Sequence, residues 1–207
     1  MNQVFIDMKY ILNETQYNLV LEQTSGLDEF LVKVKEKYDI NDDFIDKIKQ
    51  FILNSDCKKI MVQNIRMGEA LALADRVVIS PRVFNNSLGM FLFILFHEIA
   101  HQYQFKKYGE ETMYSVYVGD ISIEEAAEFM KKTELVADEF ARKKVREFVN
   151  LGFVPQEDAT FEGMYKNVPT AQLKGMISQF RNVIRQGRIT KPSEVSEFFY
   201  NMVKVDL

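Results

Sequence analysis

Two histidines occur in the 207 residues, His97 and His101, and they stand four positions apart in FLFILFHEIAHQYQF with Glu98 directly after the first. On an α-helix the side-chain direction advances by about 100° per residue, so positions i and i+4 lie about 40° apart one turn along. Glu98 falls on the same flank, nearest His101, while Ile99 and Ala100 point away and continue an apolar face. Two neutral imidazoles so placed can each bring a nitrogen to about 2.0 to 2.1 Å from one Zn²⁺, leaving room for a third protein ligand and a water. The intervening carboxylate is then positioned to take a proton from that water. Burying two imidazoles and a carboxylate without a metal or a partner is costly, which favours a metal centre over a pair of core histidines.

A third histidine does not exist in the chain, so the remaining protein ligand must be a carboxylate. TELVADEFA places Glu134 and Asp138 at i and i+4 on one helix face, with Ala137 and Ala141 small enough to admit a close neighbour. Asp120, in VGD just before a helix cap, is a rival, and the residues alone leave the choice open.

The stretch H97-E98-I99-A100-H101 is HExxH and resembles the zincin metallopeptidases. The longer metzincin pattern HExxHxxGxxH is excluded, because Gln104 and Lys107 stand where glycine and histidine are required. Glu134 and Asp138 resemble the ExxxD element of the gluzincins, and the likeness, spanning roughly Lys58 to Val149, is to the minigluzincins and ImmA/IrrE-like peptidases. SprT-like proteases are less similar, since the chain has neither a zinc ribbon nor a basic patch. The fuller aspzincin pattern around Asp120 is missing from SVYVGD.

The resemblance implies that His97, His101 and Glu134 bind Zn²⁺, that Glu98 is the general base, and that Asp138 receives an imidazole N–H, from His97, in the next layer out. The implied activity is a zinc-dependent endopeptidase acting on a protein or peptide. The alternative is a regulatory binding module that keeps the fold without general proteolysis or serves one partner, as ImmA/IrrE-like proteins often do. The resemblance also implies that a strand ahead of the active helix receives extended peptide along its edge, with RVVIS, Arg76 to Ser80, as the candidate. Tyr108, Tyr114 and Tyr117 lie between the motifs, and none is assigned an oxyanion role.

These residues need elements to hold them. Asn85 to Ser87 offer caps for the histidine helix, which runs to about Lys107 with Gly109 as its stop. Ser122 and Glu125 form a capping box for a helix reaching about Val149 that carries Glu134 and Asp138. EALALADRVVIS reads as two short strands around a turn at Ala74 to Arg76, and KKIMVQNI as a further apolar, partly alternating stretch. Before them, Asn13 to Gln23, Leu27 to Tyr38 and Asn41 to Leu53 read as amphipathic helices. After residue 155, two or three helices are expected, with Thr170 and Lys191-Pro192 near starts and Gly187 near a stop, and no chemistry is assigned to them.

The expected fold is therefore α+β: a mostly helical zincin-like unit with a small antiparallel sheet packed on the HExxH helix. Its zones are an N-terminal helical zone (1–56), a metallopeptidase core (57–150) and a C-terminal helical zone (151–207).

Composition narrows the partners. A 47% apolar fraction supports a buried core, and 26 basic against 30 acidic residues, without a long basic run, disfavour nucleic acid and anionic membranes as partners. The longest apolar block, Leu88 to Phe96, is about half the length of a membrane span. One cysteine, Cys57, excludes an internal disulfide, and the first thirty residues lack the apolar block of a signal peptide, so a cytoplasmic location is expected.

Overall fold

The computed structural model describes residues 14–55, 57, 59–65, 69–161, 163 and 165–203. Seven helices are found among them: α1 (Glu14–Tyr38), α2 (Asp42–Leu53), α3 (Leu88–Tyr108), α4 (Glu110–Val118), α5 (Ile123–Asn150), α6 (Thr170–Gln186) and α7 (Pro192–Val203). Between α2 and α3 lie β1 (Ile60–Val62), β2 (Ala70–Leu73), β3 (Arg76–Ile79) and a short 3₁₀ helix (Pro81–Asn85), and a second 3₁₀ helix (Gln156–Ala159) follows α5. The architecture is α+β, mostly helical. Among the described residues, no helix is long and apolar enough to cross a membrane.

The apolar run becomes α3. The Ser87 side chain accepts the Met90 N–H at its start, and Gly109 ends it. Every residue from Phe91 to His97 is buried, as expected of a helix that is apolar all round. Phe30 of α1, Phe44 and Ile48 of α2, Val77 of β3 and Val145 of α5 belong to the core cluster around it. The principal partner of α3 is α5, opened by the Ser122–Glu125 capping box, and Ala137 and Ala141 are both fully buried on it.

Three sequence expectations change. The sheet is mixed, not antiparallel: its order is β1-β3-β2, with β2 and β3 forming the antiparallel hairpin and β1 running parallel to β3 in register Ile60↔Val77. The reason lies in Val77, Val78 and Ile79, buried in succession, since a strand covered on both faces shows no alternation and takes the central place. RVVIS therefore has a neighbour on either side and cannot be the edge that receives a peptide; the open edge next to α3 belongs to β2.

The two helices expected over Asn13 to Tyr38 are a single α1 within the described residues, while Asn13 itself lies outside them. Gly26 suggests a break but serves packing: a Cβ there would stand 3.0 Å from the Ile60 carbonyl oxygen of β1. Finally, α4 was not foreseen. It fills the stretch between the motif helices to which the sequence assigns no element, with Tyr114 and Val116 buried.

Candidate metal centre

The helix α3 presents His97 and His101 towards α5, which presents Glu134 and Asp138 in return. His97 Nε2 stands 3.1 Å from His101 Nε2 and 3.1 Å from Glu134 Oε2, and His101 Nε2 is 3.6 Å from the same oxygen. These three residues offer ligand atoms that all lie within 4.8 Å of one another.

The outer nitrogens decide which lone pairs face inward. His97 Nδ1 lies 3.0 Å from Asp138 Oδ1, a charge-pairing contact that is not aligned as a hydrogen bond, and neither buried atom has a hydrogen-bond partner. On His101, Nδ1 is 2.9 Å from Gln104 Oε1, while the amide nitrogen of Gln104 donates to the Thr133 carbonyl at 2.8 Å. That second bond orients the amide, so Nδ1–H of His101 donates to its oxygen and Nε2 keeps a lone pair. With one proton of His97 on Nδ1 beside Asp138, it is the Nε2 proton, facing Glu134, that a cation would replace.

Once that proton is gone, two lone pairs and a carboxylate oxygen converge on one point, a donor set that a cation satisfies. Ligand atoms about 2.0 to 2.1 Å from a tetrahedral Zn²⁺ stand about 3.3 Å from each other, and the separations of 3.1, 3.1 and 3.6 Å bracket that value. The residues fit zinc in type, number and spacing.

Electrostatics agree with a site built for positive charge. Burial opposes a charge on His97, yet the Asp138 and Glu134 carboxylates outweigh it and raise its pKa from 6.5 to about 10. Burial alone would raise Glu134, but His101 and His97 bring it down to about 2. Glu98 is pushed above the usual carboxylate range by burial, partly offset by the two imidazoles.

Glu98 also touches the sheet, because the backbone N–H of Ala72 donates to its carboxylate. Just before β2 the Glu69 carbonyl accepts from Ser80 N–H, and within it Leu71 pairs with Val78, so the backbone groups of Ala70 and Ala72 turn away from β3. That outer side of β2 lines a cavity of about 370 Å³ shared with Glu98, His101 and Glu134. Glu98 and Glu134 are its two charged lining residues, and its far wall is apolar, built partly from Met113, Phe129, Met176 and Phe199.

The structure therefore gathers His97, Glu98, His101, Glu134 and Asp138 into one cluster. It leaves Asp120 exposed in the turn between α4 and α5, apart from the ligand group. Of the three tyrosines left unassigned, Tyr114 and Tyr117 line the cavity, whereas Tyr108 packs against Phe129. Two contributors were missed. Gln104, noticed only for spoiling the metzincin pattern, stands three residues after His101 on the same helix face, a spacing that could have revealed it. Tyr165 comes from the zone given no chemistry, lines the cavity, and lies nearly parallel to the His97 ring at 6.4 Å; nothing in its local sequence signals this. Comparison with known proteins yields no match: no family model fits the chain, and no curated protein or solved structure matches it.

Proposed function

We propose that this protein is a zinc-dependent endopeptidase of the gluzincin type, with His97, His101 and Glu134 holding the metal. The observation that carries this reading is the triangle of inward-facing donors with Glu98 beside it, in contact with the edge of β2. When bound, zinc would supply an acidified water and a polarised scissile carbonyl.

The chain's own residues account for the remaining requirements. An extended peptide can pair with the outward backbone groups of Ala70 and with the Ala72 carbonyl, as in strand addition, and lie across the cavity. The apolar far wall suits a large uncharged side chain of that peptide. Glu98, with its raised pKa, takes a proton from the attacking water and returns it to the leaving nitrogen as the C–N bond breaks. Tyr165 keeps its proton far above neutral pH, because burial and the nearby Glu134 and Glu98 carboxylates raise its pKa. It is therefore a hydroxyl donor available to charge developing on the carbonyl oxygen.

Elemental analysis combined with peptide-library cleavage tests the proposal. Wild type should carry about one zinc per chain and cleave, whereas Glu98→Gln should keep the zinc and lose about 10²- to 10⁴-fold in rate. Equal activity in the variant would remove Glu98 as the base. Wild type that holds zinc but cleaves neither the library nor candidate partner proteins would favour a regulatory binding module of the ImmA/IrrE-like kind.

A further inference from the structure

The C-terminal zone reaches the candidate metal centre through a second contact besides the Tyr165 ring. Asp138 is fully buried and has two carboxylate oxygens to satisfy. Oδ1 faces His97 Nδ1 at 3.0 Å, and Oδ2 accepts the backbone N–H of Tyr165 at 3.1 Å. Gly163 closes over the same oxygen so tightly that a Cβ built on it would stand 2.8 Å from Oδ2 and 3.4 Å from Cγ. Its φ of +88° is also a conformation that residues with a side chain rarely adopt. Phe161 secures the preceding chain on α3, its ring 5.0 Å from that of Phe93.

We infer that Gly163 and the Tyr165 peptide N–H form a backbone clamp on Asp138 and are positioning residues for the metal site, acting through Asp138 on the orientation of His97. This rests on the metal reading proposed above. A carboxylate gripped at one oxygen holds the other in place, and a histidine paired by charge with that oxygen at Nδ1 offers Nε2 in a restricted direction. Gly163 is required here because any side chain would displace the carboxylate it covers.

Gly152 provides a matched control, since its φ of +76° imposes similar strain on a side chain while a Cβ there meets nothing within 4 Å. Zinc affinity measured by chelator competition should fall about 10- to 100-fold in Gly163→Ala, as for loss of an outer-layer partner, and stay within about twofold in Gly152→Ala. In an Asp138→Ala background, Gly163→Ala should cost nothing further, because the two act through one contact. Equal losses in the two glycine variants, or additive losses in the double variant, would overturn the clamp.

A second readout separates this from the metal reading. The chain has two histidines, so imidazole ¹⁵N spectra of the metal-free protein are simple to assign. The His97 Nδ1–H signal should shift in Gly163→Ala and not in Gly152→Ala. Wild type that fails to take up zinc but shows this shift defeats the metal reading and keeps the clamp; zinc uptake with an unmoved His97 signal does the reverse.

Discussion

The two halves of α3 solve opposite problems with one continuous helix. From Phe91 to Phe96 every side chain is buried among apolar neighbours, with Phe96 set edge-on to Phe51 at 4.8 Å and packed on Phe148 at 5.5 Å. From His97 to Gln104 the polar side chains facing α5 and the sheet each meet a named partner: Asp138 and Glu134 for His97, Gln104 for His101, and the Leu73 carbonyl for the Gln102 amide at 2.6 Å. The first half draws its stability from area removed from water, which is non-directional. The second holds its donor atoms in fixed directions, set by polar contacts in successive layers. Stability and metal affinity should therefore be separable by substitutions a few residues apart.

The largest expected effects are a pair that tests this separation. Phe96→Ala should lower unfolding free energy by about 3 to 5 kcal/mol while the folded fraction binds zinc almost normally. Glu134→Ala should weaken zinc by more than the roughly 100-fold upper range of an outer-layer loss, with chemical unfolding of the metal-free protein changed far less. Denaturation curves and chelator competition on both variants check this, and a parallel loss of both properties in either one would merge the two halves. Next, Asp138→Ala should cost about 10- to 100-fold in zinc affinity, less than Glu134→Ala.

Smaller still is the effect of pH. In the metal-free protein His97 keeps its proton up to about 10, above its ordinary 6.5, so the stability from its two carboxylate neighbours is full below pH 6.5 and lost as pH rises through about 10. Zinc bound as proposed would displace that proton, so its affinity should run the opposite way, gaining about tenfold per pH unit between 7 and 9. Calorimetry in two buffers of different ionisation heat should find about one proton released near pH 8; none released would mean that His97 enters the site neutral. At the bottom of the scale, Asp120→Ala should leave zinc affinity unchanged, since Asp120 is exposed and outside the ligand group.

The parts legible in the sequence are those governed by local rules. The HExxH spacing, the Ser87 cap, the Ser122–Glu125 box and the β2–β3 hairpin each depend on residues within a few positions, and each is found where those residues predict an element. What the sequence concealed depends on distant neighbours. The parallel pairing of β1 is fixed by a strand about fifteen residues later, and the continuity of α1 by the Ile60 carbonyl that Gly26 admits. Tyr165 joins the cluster because Phe161 and Gly163 fit against α3 and α5, and no periodicity encodes a fit of that kind. Gln104 was legible in principle but was read for what it was not.

The open side of β2 has a consequence for how the protein behaves in a crowded solution. An unpaired strand is a template for any other extended chain, and proteins commonly blunt such edges with charge, proline or a bulge. AlaLeuAlaLeu carries none of these. Its protection is architectural: the edge is four residues long, recessed in a cavity walled by helical side chains, and has one N–H already taken by Glu98. The flat flank of another sheet is too broad to reach into that recess, so the edge is shielded from seeding a fibril without any charge or proline of its own.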